Sequence, residues 1–252
     1  DWDAPVPGHT SDTAWTGLHA AKDLVHLFNP KQGYMQNCNI SPDTMLLESP
    51  LTPDKYPEYI YNVSWDTNNP RGRRTIQLLS QDESITKEEA MAYAMDVYDY
   101  MAVTWQNELR QSVASVGDDV KQDADFKAAV QAILDWDGNF IPAATATPVY
   151  KFWRLKCGQQ LDLEPLVTGK SLDAATRRKM LQLLSETIGD LKKTYGRWDM
   201  AWGDIHKVGR GGQLFPVGGA EFRSGNRDAN FAETLFDVNT KPAKEDPKVH
   251  VA

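Results

Sequence analysis

Two asparagines, Asn37 and Asn39, lie in the segment 29–42, which reads Asn-Pro-Lys-Gln-Gly-Tyr-Met-Gln-Asn-Cys-Asn-Ile-Ser-Pro. The pattern predicts a short strand at 33–38, followed by an asparagine-rich turn that Ser41-Pro42 closes. An asparagine amide is a neutral hydrogen-bond donor. A fixed donor that points at the oxyanion of an acyl-transfer transition state stabilises it by roughly 3 kcal/mol. Because side chains alternate along a strand, Asn37 and Asn39 share a face if the extended form continues.

A structural interpretation of the same two asparagines needs no chemistry. Asparagine is a common turn former, since it tolerates left-handed backbone and hydrogen-bonds its own main chain. On the pattern alone this interpretation is favoured over a catalytic one.

Composition and missing motifs exclude several function classes. The net charge of -8 argues against a nucleic-acid partner, because phosphate binding needs a basic surface. The sequence contains no Walker loop, GxGxxG, HExxH, CxxC or EF-hand motif, and its five histidines lack metal-ligand spacing. No stretch approaches the ~18 apolar residues of a membrane span. Cys38 and Cys157 are either free or paired, and the sequence leaves both possibilities open.

Helices must position any site that the asparagines form. Frequent prolines and glycines predict irregular structure before residue 80, apart from a helix after Pro70. Thr86 and Glu89 form a capping-box pattern, and the apolar period predicts one long helix from there to about residue 116. Further helices are predicted at 125–135, 148–157 and 171–195, the last ending at Gly196. Short strands follow residue 196, and a loose polar tail covers 241–252.

Several short motifs resemble those of the penicillin acylase and acyl-homoserine-lactone acylase family, which belongs to the N-terminal nucleophile hydrolases. Their order and spacing cover roughly residues 5–225. Besides the segment 29–42, the resemblance rests on Val6-Pro7-Gly8, Trp15-Thr16-Gly17-Leu18, Arg71 with Leu78 and Leu79, Trp136-Asp137-Gly138, Trp202-Gly203 and Pro216-Val217-Gly218-Gly219.

The resemblance implies a role for three polar residues. Asn39 falls at the family's oxyanion-hole asparagine, and Asn37 falls at another asparagine of the same motif, which suggests substrate binding. Arg71 falls at the active-site arginine that orients the substrate and the catalytic asparagine. The alternative for Arg71 is a surface ion pair, since Arg73 and Arg74 are adjacent. The remaining motif residues are expected to be structural, and Tyr34 and Trp15 are expected to pack.

The family's nucleophile is a Ser, Thr or Cys that self-cleavage exposes as a new N-terminus, with its own α-amine as the base. This chain begins with Asp1. By the family's spacing the nucleophile lies about two hundred residues upstream. The expectation is therefore an internal fragment of the β subunit that is inactive alone and needs the upstream α and β portions of the precursor. No cofactor is expected; the family often binds calcium, but no ligand for it can be assigned here.

The predicted fold class is mainly α, a helical region with irregular or short-strand flanks within an αββα N-terminal nucleophile hydrolase. Residues 1–70 carry the oxyanion strand-turn, 71–196 form the helical domain, and 197–252 form a glycine-rich loop and strand segment with a polar tail. The expected function is hydrolysis of an acyl-amide bond, in β-lactam side chains or acyl-homoserine lactones, in the periplasm or outside the cell. The alternatives are a non-enzymatic helical module that binds a partner, and a carrier whose pocket Trp105, Trp136 and Trp153 would line.

Overall fold

Helices provide most of the regular structure between residues 58 and 205. The computed structural model describes residues 5–61, 69–116, 118, 120, 122–210, 212–220, 234–238, 240–244 and 246–252. In chain order its helices are α1 (Glu58–Tyr61), α2 (Pro70–Ser80), α3 (Lys87–Ala94), α4 (Ala102–Val116), α5 (Ala124–Asp135), α6 (Ala146–Gln160), α7 (Glu164–Val167), α8 (Ala174–Tyr195) and α9 (Trp202–Ile205). Its strands are β1 (His206–Arg210), β2 (Gln213–Pro216), β3 (Lys241–Pro242) and β4 (His250–Val251).

The hydrophobic core lies between α4, α5, α6 and α8. Helix α8 packs against α4 and α6, and α5 packs against α6. At the centre, the rings of Trp105 and Trp153 meet edge to face with centroids 5.3 Å apart. The ring of Trp136 packs on Tyr150, with centroids 4.6 Å apart. The three tryptophans that a small-ligand carrier would need as pocket walls therefore fill the core.

Capping residues mark the helix ends, as their local chemistry requires. The Glu89 N–H donates to Thr86 Oγ1 and the Thr86 N–H donates to Glu89 Oε2, which confirms the capping box. Gly196 ends α8 with a φ of 82°, a left-handed conformation that glycine adopts without strain. Helices α2, α5, α6 and α8 confirm the helices predicted after Pro70 and near 125–135, 148–157 and 171–195.

The prediction of one helix from residue 86 to 116 is wrong. Helix α3 ends at Ala94, and α4 begins only at Ala102. The segment between them pairs with the Trp-Asp-Gly turn: the Asp99 N–H donates to Gly138 O, and the Phe140 N–H donates to Val97 O, both at 2.9 Å. The Asp99 carboxylate then accepts the Met101 N–H and starts α4. The apolar period of the sequence continues through residues 95–101, so the period does not show that the helix is interrupted there.

A small mixed sheet follows α9. Its strand order is β2-β1-β4-β3: β1 pairs antiparallel with β2 and parallel with β4, and β3 pairs antiparallel with β4. The tail predicted to be loose supplies β3 and β4, so that prediction is wrong. Backbone groups of β4 pair with the edge of β1 that β2 leaves open. The polar composition of the tail does not predict this pairing. The Trp202 indole N–H donates to Gly219 O at 2.8 Å, in line with a structural role for these motif residues.

Residues 5–57, before α1, contain 3-10 turns and irregular backbone rather than the strand predicted at 33–38. One backbone hydrogen bond, from the Gln36 N–H to Met45 O at 3.1 Å, joins residues 33–38 to the loop that follows them. Trp15 is 85% exposed, so the prediction that it packs is wrong for this structure.

Cys38 and Cys157 are free thiols, so the alternative of a bridge is excluded. Within the described ranges, no helix combines the length and apolar character needed to cross a membrane.

Candidate active site

A tight turn at Asn37–Ile40 meets the N-terminal turn of α2. Asn39 has a φ of 59°, in the left-handed region that asparagine tolerates better than most residues. Its N–H donates to Asn37 Oδ1 at 3.2 Å. The structural interpretation of the two asparagines is therefore correct as far as the backbone is concerned. The condition under which they would share a strand face is not met, because the left-handed residue ends the extended form.

Arg71 holds the side chain of Asn39. Its Nη2 donates to Asn39 Oδ1 at 3.0 Å and lies 3.4 Å from Cys38 O, so it also contacts the turn backbone. A guanidinium has only donors, so the amide atom that faces it must be oxygen. The Nδ2 group of Asn39 consequently lies on the opposite branch of the amide. Asn39 itself is exposed, and the turn presents it at the surface of the chain.

Asn69, which the sequence analysis did not single out, joins the turn to α2. Its Nδ2 donates to Cys38 O at 2.7 Å, and its Oδ1 accepts the Gly72 N–H at 2.9 Å. The signal was present in the sequence, since an asparagine followed by proline is a favoured helix start. The contact with Cys38, 31 residues away, has no local signal.

Close packing leaves little space between the turn and α2. A β-carbon placed on Gly72 would lie 2.9 Å from Ile40 Cγ2 and 3.4 Å from Gln36 Nε2. Glycine at this position lets the first turn of the helix approach the backbone that carries Asn39. Just beyond the turn, the buried hydroxyls of Ser41 and Tyr61 lie 3.3 Å apart, and Tyr61 donates to Leu51 O at 2.8 Å.

Helix α2 is connected to the helical core by Arg74. Its Nε and Nη2 contact the two carboxylate oxygens of Asp96 at 2.9 and 2.7 Å, and its guanidinium lies 4.6 Å from the ring centroid of Tyr98. One of the arginines beside Arg71 thus forms an ion pair, one turn later in the helix. Near Arg71, burial raises the pKa of Asp237, and the positive charge of the arginine partly opposes this rise.

The family model described as penicillin amidase matches residues 1–246 of the 252. The chain belongs to the penicillin amidase family. Membership is consistent with a hydrolase of the acylase type, the class that the sequence motifs indicated.

Penicillin amidase membership does not by itself assign a role to any residue. The contact between Arg71 and Asn39 is observed, whereas their catalytic roles and the role of Asn37 in substrate binding stay predictions. In the part of the chain that the structure describes, no cluster of three or more His, Cys, Asp or Glu residues is arranged to hold a metal ion. The expectation of no cofactor for this chain stays a prediction, and so does the possibility of calcium elsewhere in the parent protein.

Proposed function

We propose that this chain supplies the oxyanion-stabilising part of an acylase that hydrolyses an acyl-amide bond. A Ser, Thr or Cys at the N-terminus of another segment of the same precursor acts as the nucleophile. The observation that supports this proposal most directly is the bond from Arg71 Nη2 to Asn39 Oδ1, at 3.0 Å, on an exposed turn. A neutral amide held by a cation is the kind of donor that acyl transfer needs.

In the proposed mechanism, the nucleophile attacks the amide carbonyl carbon, and its proton passes to its own α-amine. The carbonyl oxygen becomes an oxyanion and accepts a hydrogen bond from Asn39 Nδ2. Arg71 keeps Oδ1 turned away from that anion and so prevents the repulsive orientation of the amide. The amine leaves with a proton, and water then hydrolyses the acyl-enzyme.

The proposal for substrate binding names one residue, Asn37, and two substrate classes. Asn37 is proposed to contact the substrate beside the oxyanion, although its Oδ1 already accepts the Asn39 N–H. β-Lactam side chains and acyl-homoserine lactones are both retained as substrate classes. Fold-level kinship does not separate them.

Large apolar side chains on residues 5–61 support a partnership with the rest of the precursor. Trp15, Leu18 and Phe28 are between 83% and 88% exposed. Burying such surface gains about 25 cal/mol per Å². We propose that this face packs against the upstream α and β portions of an exported αββα enzyme, in the periplasm or outside the cell.

The same exposed side chains also favour the second candidate function, a helical module that binds a partner without catalysis. The two functions differ in what they require of Asn39. An acylase needs its amide as a donor, whereas a binding module tolerates its loss if the fold is kept.

Asn39→Ala in the full-length protein, which includes the nucleophile segment, separates these functions. The expected result is a fall in kcat of about 100-fold or more on an acyl-amide substrate, with little change in KM, because the donor acts on the transition state. Asn107→Ala is the matched control, since Asn107 is an exposed asparagine on α4. A loss of less than threefold would reject the oxyanion role. A wild-type protein without amidase activity would favour the binding module.

A further inference from the structure

Asn69 is a buried amide, 6% exposed, whose two ends are both engaged. A peptide N–H can only donate, so the atom that faces Gly72 must be Oδ1. A carbonyl oxygen can only accept, so the atom that faces Cys38 must be Nδ2. The observed bonds, at 2.9 and 2.7 Å, satisfy both requirements, and their chemistry fixes the orientation of the amide.

The Cys38 carbonyl belongs to the same peptide plane as the Asn39 nitrogen. Among the residues that the structure describes, Asn69 and Arg71 donate to this carbonyl, and Asn69 is much the closer, at 2.7 Å against 3.4 Å. The nitrogen side of the same plane is held by Asn37 Oδ1 at 3.2 Å. Asn69 therefore makes the shortest of these three contacts with the peptide.

The direction in which the Asn39 side chain leaves the backbone depends on that plane. Asn39 has a φ of 59°, a sparsely populated conformation for residues other than glycine. Such a conformation persists where its surroundings enforce it. Without the Asn69 donor, Arg71 would still contact Asn39 Oδ1, but this peptide would lose its 2.7 Å contact and keep the longer ones with Arg71 and Asn37.

We infer that Asn69 is a positioning residue for the oxyanion donor and acts through the Cys38–Asn39 peptide. This inference rests on the proposed function, because it assigns a purpose to the orientation of Asn39. Asn69 has two separable tasks: its Oδ1 caps α2, and its Nδ2 holds the turn.

Two substitutions at Asn69 remove the donor to the Cys38 carbonyl and keep the oxygen that caps α2. Asn69→Ser retains an oxygen that can cap the helix but has no amide donor. Asn69→Asp retains the shape and the capping oxygen but presents a second oxygen to the Cys38 carbonyl. In the full-length enzyme we expect either change to lower kcat about tenfold and leave KM within about twofold, because misplacement of a catalytic group by a fraction of an ångström suffices.

Asp173→Ser is the control for capping alone. Asp173 caps α8 by accepting the Thr176 N–H at 2.7 Å. The Asp173→Ser variant should change the melting temperature about as much as Asn69→Ser does, and it should leave kcat unchanged. If Asn69→Ser shifts the melting temperature and not kcat, Asn69 is only a helix cap and the inference is overturned. The Asp variant gives the same decision if the Ser variant does not fold.

Repeating the substitution in the Asn39→Ala background tests whether Asn69 acts through Asn39. The expected further loss in kcat is less than about twofold, because the donor is already absent. An undiminished tenfold loss would overturn the inference and leave the proposed function intact. If Asn39→Ala alone leaves kcat unchanged, the proposed oxyanion role is rejected. This outcome differs from both outcomes of the Asn69 substitution, so the two failures can be told apart.

Discussion

The ion pair between Asp99 and Arg154 offers a direct test of how the core is stabilised. Both side chains are fully buried. The carboxylate accepts the Tyr150 hydroxyl at 2.6 Å through Oδ2 and the Met101 N–H at 2.9 Å through Oδ1. The guanidinium also lies 4.7 Å from the ring centroid of Trp105. Every oxygen of Asp99 therefore has a partner in a site without water contact.

Asp99→Asn keeps the shape of the side chain and removes its charge. The guanidinium of Arg154 would then lose the negative charge of Asp99 beside it in the core. Breaking a buried pair in this way costs about 3 to 5 kcal/mol. With an m-value of about 2 to 3 kcal/mol per M, the urea midpoint should fall by about 1 to 2.5 M.

The assay is urea denaturation followed by tryptophan emission, since Trp105 and Trp153 lie beside the pair. Tyr150→Phe removes no charge but two hydrogen bonds, one donated to Asp99 and one accepted from Arg154. A hydrogen bond to a charged group contributes about 1.5 to 3 kcal/mol, so this variant should also be clearly destabilised. Asp125→Asn is the exposed control: its partner Lys192 is 48% exposed, and solvent screens the pair, so the midpoint should barely move. If Asp99→Asn shifts the midpoint no more than Asp125→Asn does, the burial argument is refuted.

Two further predictions concern a turn and a helix cap. Gly138→Ala should lower the free energy of unfolding by about 1 to 3 kcal/mol, because Gly138 has a φ of 85° and its new β-carbon would lie 2.5 Å from Tyr98 Cε2. Gly169→Ala is the control, with a φ of 75° and no atom within 4 Å, and equal losses in the two variants would contradict the role of Tyr98. Hydrogen bonds from Thr176 lower the pKa of Asp173 below its ordinary value of 3.8, so this cap stabilises the fold above that pH and is lost as pH falls through the lowered pKa. Asp173→Asn should reduce the loss of helix by circular dichroism between pH 5 and 2, and an unchanged acid transition would exclude this linkage.

Local patterns were sufficient to predict helices α5 and α8. Each combines an apolar period with a capping aspartate, Asp123 or Asp173, and α8 also ends at Gly196. The break at residues 95–101 could not be predicted in this way. It depends on pairing with the turn at Gly138 and on the buried partner of Asp99, and both lie far along the chain.

The candidate site was predictable in part, and by resemblance rather than by spacing. Nothing local indicates that Asn39 and Arg71, 32 residues apart, are in contact. The left-handed turn at Asn39 was open to prediction, because asparagine is a turn former. The contribution of Asn69 was not, since only its capping task has a local signal.

The bidentate contact between Arg74 and Asp96 has a consequence for how this family member can change. Helix α2 carries Arg71 in its first turn and Arg74 one turn later, while Asp96 belongs to the segment that Asp99 anchors in the core. A substitution that moves this segment would therefore carry the helix, and the asparagine attached to it, in the same direction. Positions outside the turn are thus candidates for sequence variation that moves the Asn39 amide by small steps.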